Sequence, residues 1–384
     1  MPQPEPTKEL QSQLLEQNGP VCLIIRAQLR PVADLDRFQP AGFPEIGHVI
    51  YNAPRRDGAI EKVCIVDSPA SMANHLETVC LADGAGLHPE LNGLPCVRCV
   101  TDASSSLENR DSASDGRMPV VTSLTEGHRI ASDYFLDGTL NGQNFREKLR
   151  EEFKIIEVRK DKTYFIPPET WWSIYKTIFK YDPNSLVHGV LFAKEQIKIS
   201  RFLTAHLEAF GASRVGRSGV KFDRLGKTTS GQPIFAVDEE TAREIRATFI
   251  LDLALLRSYG RDKNGLADPQ KRLLLDLALW KIQRLLARPF RYRSGCYLQA
   301  CPPKLSAEPE TEALKKTLEA LNELPAISMQ TSIKACEFGD APVTDVYYPE
   351  DKLFKPAIDQ EKPTNAGKGQ EAEEAEEADE AEEG

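Results

Sequence analysis

No stretch of this 384-residue chain approaches the roughly 20 apolar residues of a bilayer span, and its longest apolar runs, such as Val21–Ile25, stop far short. The opening MPQPEPTKEL has neither the basic start nor the apolar centre of a secretory leader, so the cytoplasm is the expected compartment and no membrane is expected as a partner. Several chemical signatures are also missing. There is no GxxxxGK followed by Ser or Thr, no HExxH and no GxSxG, and no GxGxxG joins a strand to a helix. The six His residues, at 48, 75, 88, 128, 188 and 206, form no ligand pair at i and i+4. No catalytic residue, metal or cofactor is therefore expected. One enzymatic alternative survives these absences, a metal-dependent nuclease or RNA-processing subunit built from dispersed carboxylates such as Asp67, Glu77 and Asp223, because two-metal chemistry asks only that acids converge in space. Asp67 and Glu77 also have simpler uses, near a helix start and on its exposed face.

Cysteine occurs eight times but scattered, at 22, 64, 80, 96, 99, 296, 301 and 336, a distribution that reads as reduced thiols in a chain of this size. Cys96 and Cys99 form a CxxC on a strand-like segment, with no second CxxC or His pair at zinc-finger spacing. Cys296 and Cys301 complete a four-thiolate site only if the two segments meet.

The formal charge of −10 would argue against a nucleic-acid partner if it were spread evenly, but Glu371–Glu383 alone carries nine acids and no base. Without those nine, the 58 acidic residues fall to 49 against 48 Lys plus Arg. The body is close to neutral, and its basic clusters are not drowned by a global negative field.

The expected organisation is a flexible N-terminus over 1–18, a single domain over 19–355 with a mobile loop at 101–118, and a disordered acidic tail over 356–384. VCLIIRAQL reads as a central strand ending at the Arg30–Pro31 step. KVCIVDSPASMANHLETVCLADG reads as a strand running into a helix with Ser68 as N-cap, Pro69 at the first helical position and Gly84 as its close. TWWSIYKTIFKYDP is an aromatic helix. LVHGVLFAKEQIKISRFLTAHLEAFGA reads as a strand followed by a helix that Gly211 ends. Two long helices are expected in DEETAREIRATFILDLALLRSYG and in DPQKRLLLDLALWKIQRLLARPF, and a further one in ETEALKKTLEALNEL before a strand-like ISMQTSIKACEF. This order, without regular βα alternation, gives an α+β fold with an antiparallel or mixed sheet.

Two segments combine positive charge with glycine or aromatic residues, as a groove for single-stranded nucleic acid requires. Arg214–Lys227 holds three glycines, five basic residues and one acid. RLLARPFRYR places Arg284, Arg288, Arg291 and Arg293 beside Phe290 and Tyr292. Arg284 and Arg288 also suit the negative end of a helix, whereas Arg291 and Arg293 lie past it and favour RNA.

The phrases RFQPAGFPEIG (37–47), DSPASMANHLE (67–77), SLTEGHRIASDYF (123–135), HGVLFA with KISRFLTAHLEAFGA (188–212), GVKFDR (219–224) and LDLALLRSYG (251–260) resemble, in order, those of the type I-G (formerly I-U) CRISPR-associated RAMP backbone proteins. The resemblance implies a hand-shaped molecule with an RRM-like, ferredoxin-like palm, helical insertions and a thumb-like loop. Its members are crRNA-binding subunits of a Cascade-type effector complex in antiviral defence, and copies line up as a filament along the guide RNA. The other partners it implies are target DNA through guide pairing, a large subunit, a fused Cas-five/Cas-six-type subunit and a recruited helicase-nuclease. Guides vary, so such a subunit is restricted to phosphate, sugar and stacking contacts. Carried onto this sequence, the expected RNA contacts are Arg37 and Gln39, Ser71 and Asn74 in the opening turns of a helix, His128 and Arg129, Lys198 and Arg201, the glycine-rich set Arg217, Lys221, Arg224 and Lys227, and Arg291 with Arg293.

Overall fold

The computed structural model of the chain describes residues 6–43, 47–82, 86–102, 117–157, 164–215, 239–261, 263–301, 306–308 and 327–349. The expected mobile loop (its residues 103–116), most of the glycine-rich basic stretch (216–238), the helix expected in ETEALKKTLEALNEL, Gly84 and the acidic tail lie outside the described residues.

Helix α1 (Pro6–Leu15) leads into β1 (Cys22–Pro31). A hairpin of β2 (Ile50–Pro54) and β3 (Ile60–Asp67) runs straight into α2 (Pro69–Thr78). After β4 (Cys96–Asp102) and β5 (Arg117–Thr122) come four helices, α3 (Asp133–Leu136), α4 (Phe145–Phe153), α5 (Thr170–Tyr181) and α6 (Pro183–His188). The short hairpin β6 (Val190–Phe192) and β7 (Ile197–Ile199) precedes β8 (Leu203–Phe210) and β9 (Glu244–Asp252). Then follow α7 (Leu253–Ser258), α8 (Asp268–Leu286), the hairpin β10 (Phe290–Arg293) and β11 (Cys296–Ala300), α9 (Met329–Lys334) and β12 (Val343–Tyr347).

The fold is α+β. Its main sheet runs β10-β11-β1-β9-β8-β3-β2, with Ser306–Glu308 also pairing β1, and every pairing is antiparallel. Period-two alternation explains the central strands: Leu23, Ile25, Ala27 and Leu29 of β1 point inward, as do Ile245, Ala247, Phe249 and Leu251 of β9. The registers Ile25 to Phe249 and Phe249 to Ala205 lay these side chains in rows across three strands. Helix α2 packs over this face and α8 packs on α2, and α8 is apolar almost all round, with twelve buried residues from Leu273 to Leu286. A second sheet pairs β4 with β12 in parallel and with β5 antiparallel. Among the described residues no helix is long and apolar enough to cross a membrane.

Four expectations from the sequence are corrected. RFLTAHLEAF is the central strand β8, because Leu203, Ala205, Leu207 and Ala209 alternate inward and both edges are paired; Gly211 still ends the segment, at φ +65°. The expected helix over DEETAREIRATFILDLALLRSYG is strand β9 followed by the single short helix α7. ISMQTSIKACEF is not strand but carries α9, whose Met329 and Ile333, four residues apart, are buried where it docks on α8. The N-terminus is not free along its length either. Leu14 of α1 is fully buried, Gln11 hydrogen-bonds the Asp276 carboxylate, and Arg257 Nη1 donates to the Leu14 and Pro20 carbonyls at 3.1 and 2.9 Å. An amphipathic turn with a core to dock on pays off in burial what its polar composition hides.

Candidate nucleic-acid interface

The first turn of α2 is the point from which the site is built. Ser68 caps the helix by accepting from the Ser71 amide at 3.2 Å, with Pro69 at the first turn, as the sequence implies. Asp67, at the end of β3, is 2% exposed and has partners on both oxygens. Its Oδ1 accepts from the Ser68 amide at 2.9 Å and from Arg293 Nη2 at 2.7 Å, and its Oδ2 accepts from Ser71 Oγ at 3.0 Å and contacts His75 Nε2 at 2.8 Å. Burial alone would raise the Asp67 pKa, but the His75 hydrogen bond and the Arg293 charge hold the carboxyl below its ordinary value. The His75 ring meets Phe290 and Tyr292 edge-on, with centroids 5.4 and 5.3 Å away. Ser71 and Arg293, both expected to touch RNA, are thus held by Asp67, and their side chains latch the β10–β11 hairpin to α2.

The loop from Arg37 arrives at the same hairpin. Gln39 N donates to the Gly295 carbonyl at 2.9 Å, and Gly295, at φ +74°, leaves no room for a side chain because a Cβ there would lie 2.9 Å from Gln39 Oε1. Arg37 is exposed and shared between Asp36 and Glu239, at 3.3 and 3.0 Å. Arg291, also exposed, donates to Ser294 Oγ at 2.8 Å and lies over the Tyr297 ring. Two sets of expected contacts that are about 250 residues apart in sequence therefore share one edge of the molecule, with an exposed Tyr297 beside them.

On the other side of α2, the segment 127–136 and the hairpin β6–β7 enclose an open cleft of about 740 Å³. His128, Arg129, Arg146, Lys194, Lys198 and Arg201 line it, against the single acid Asp133. Their charges are not equivalent. Arg129 is 8% exposed and bidentate to Glu77, and Arg146 is shared by Asp133 and Asp137 at 3.0 and 3.2 Å. Lys194 and Lys198, outward-facing on the hairpin, make no ion pair among the described residues, and Arg201 gives Nη1 only to the Pro69 carbonyl, at 3.2 Å. That last bond joins the cleft to the first turn of α2. Exposed Asn74 lines a smaller depression with Thr125, Glu126 and Gly127 on the same flank. Exposed Leu191 adds apolar surface at the cleft.

Beneath the cleft lies a buried polar network. Glu77, expected on an exposed helix face, is 3% exposed and accepts from Arg129 at 2.7 and 2.9 Å and from Asn184 Nδ2 at 2.6 Å. Lys281, fully buried on α8, reaches Asn184 and, at 2.9 Å, His188 Nε2. Burial and the neighbouring cations Lys281 and Arg129 push His188 well below its ordinary pKa, so it is neutral. Burial raises Asp182 to about 6, even though Ser185 Oγ donates to it at 2.6 Å. Arg129 is accordingly a structural residue whose guanidinium is spent inside the fold, at a positive φ of 54°. The carboxylates Asp67 and Glu77 of the nuclease alternative are each neutralised by an arginine, Asp223 lies outside the described residues, and no group of three or more potential ligands is positioned to hold a metal ion among the described residues. Cys96 and Cys99 on β4 and Cys296 on β11 sit on different sheets, with burial raising their thiols to about 12, about 11 and about 12. Arg217, Lys221, Arg224 and Lys227 lie outside the described residues.

Sequence reasoning missed Lys194 and Arg146. The signal for Lys194 was available in VLFAKEQIKIS, whose alternation buries Val190, Phe192, Ile197 and Ile199, faces Leu191 and Lys198 outward, and leaves Lys194 in the exposed turn between the two strands.

An α+β protein with an antiparallel palm, a cationic hairpin cleft and a second basic edge is the class that these observations define. The sequence matches the family model described as CRISPR-associated protein GSU0053 (Cas_GSU0053) over residues 23–214, half of the chain, and the protein belongs to that family. No curated protein matches it. Among solved structures, Csc2 of Thermofilum pendens is similar at 11% identity over 83% of this chain and 76% of that chain, with a TM-score of 0.27.

Proposed function

We propose that this chain is a crRNA-binding backbone subunit of a type I-G CRISPR interference complex, polymerising along the guide RNA, presenting it for pairing with target DNA, and catalysing nothing itself. The observation that carries this reading is the presence of Lys194, Lys198 and Arg201, without a carboxylate partner among the described residues, on one flank of the first α2 turn and of Arg37 and Arg291 on the other. Such a surface neutralises successive phosphates and reads no base edge, which is what a subunit serving unrelated guides needs. Membership of a CRISPR-associated family fits this use of the surface. The remaining partners of the reading are further copies of the chain, a large subunit, a fused Cas-five/Cas-six-type subunit and a helicase-nuclease. The test is affinity for several unrelated single-stranded RNAs across a salt series. Little dependence on RNA sequence and a steep fall with salt are expected; a flat salt profile, a strong preference for one guide, or cleavage of the RNA by the purified chain with a divalent metal overturns the reading.

A further inference from the structure

The cleft between the 127–136 segment and the β6–β7 hairpin is an anion site with no internal occupant among the described residues: its acid Asp133 is used by Arg146, leaving Lys194, Lys198 and Arg201 without a carboxylate. The same chain carries a polyanion, since Glu371–Glu383 holds nine acids in thirteen residues and no base. The described chain ends close to α3, whose Asp133 and Leu136 line the cleft: Tyr347 pairs with Thr139, three residues beyond Leu136, and Tyr348 N donates to the Val100 carbonyl at 2.8 Å. The residues between Pro349 and Glu371 have a contour of at most about 80 Å, far more than the crossing of one helix requires. A tethered partner of this kind meets its site at a local concentration on the order of millimolar.

We propose that the acidic segment Glu371–Glu383 occupies this cleft in cis when no RNA is bound, a protein mimic of the phosphate backbone that guide RNA must displace. The proposal rests on the reading of the cleft as an RNA site and assigns its regulation. Such a contact is electrostatic, with no apolar face in the segment to bury, so it yields to a longer polyanion and to salt. It gives the free subunit a means of ignoring incidental nucleic acid while remaining displaceable by a guide that engages several subunits at once.

Three forms of the chain test it: full length, truncated after Asp359, and full length with every acid from Glu371 to Glu383 changed to its amide. Carbodiimide cross-linking without RNA is expected to join tail carboxylates to Lys194 or Lys198 in the full-length chain, and an added unstructured RNA to suppress those links. Truncation and amidation are each expected to raise affinity for single-stranded RNA about tenfold at low salt, the gain vanishing near 1 M salt where the Debye length is roughly 3 Å. Equal RNA affinity in all three forms, or tail cross-links only to lysines elsewhere, overturns the proposal and leaves RNA binding intact. Cross-links that form only between differently isotope-labelled copies overturn occupancy in cis. If none of the three forms binds RNA, the functional reading falls, and the cross-links to Lys194 and Lys198 alone decide whether the tail sits in the cleft.

Discussion

Arg129 grips both carboxylate oxygens of Glu77, at 2.7 and 2.9 Å, and turns its remaining nitrogen to the Gly189 carbonyl at 3.2 Å. One guanidinium thereby ties the last turn of α2 to the floor of the cationic hairpin. The pair is buried, so removing one partner strands a charge. Arg129→Ala is expected to cost about 3–5 kcal/mol, read as a fall in denaturant midpoint, whereas the double change to Arg129→Met with Glu77→Leu costs less than either single change. A single variant that keeps full stability but loses RNA binding would instead make Arg129 a direct contact.

Lys194 and Lys198 present the opposite case, exposed and unpaired among the described residues. Changing both to Ala is expected to leave the denaturation midpoint almost unchanged, because exposed charges contribute little to stability. If each neutralises one phosphate, the log–log salt slope for single-stranded RNA becomes shallower by about 1.4. An unaltered slope would move the binding surface to Arg37 and Arg291.

Asp182 gives the fold a pH signature. Its folded pKa of about 6 lies above the unfolded value of roughly 4, so the native state holds the extra proton between those limits. The contribution of this group to stability is therefore full below about pH 4 and declines as pH rises toward 6, by as much as about 3 kcal/mol. Asp182→Asn cannot titrate. The stability difference between variant and parent should shift in the variant's favour from pH 4 to pH 7 and then level off, measured by denaturant unfolding at each pH; a difference independent of pH refutes the assignment.

Gly189 cannot be replaced without damage to the cleft. It sits at φ +78°, and a Cβ would come within 2.7 Å of the Ile199 carbonyl and 2.9 Å of the Arg201 amide, both backbone. Gly189→Ala should destabilise by about 1–3 kcal/mol and weaken RNA binding beyond the stability loss, because the clash is with the backbone of the segment 199–201, which adjoins Lys198 and includes Arg201. Wild-type unfolding together with wild-type RNA affinity would show that the hairpin yields.

The local signals in the sequence were strong where chemistry between near neighbours decides structure. Ser68 and Pro69 fixed the start of α2, Asp268 and Pro269 that of α8, and the alternation in VCLIIRAQL marked β1. RFLTAHLEAF and REIRATFILD, by contrast, satisfy helical and strand periods almost equally. Their state was settled by partners, since β8 and β9 pair with each other and with β3 and β1 from the N-terminal part of the chain.

For the site, the amino-acid sequence by itself determined which residues carry charge, where the acids of the tail are concentrated, and that the body is nearly neutral without them. Only the tertiary structure decided which of those charges face outward. Arg129 and Lys198 look alike as basic residues in matched phrases, yet Glu77 and the Gly189 carbonyl converge on one to bury it, and the β6–β7 pleat turns the other to the cleft. The physical reason is that an ion pair forms through space and requires residues 52 apart to meet in a low-dielectric interior, which no local pattern encodes.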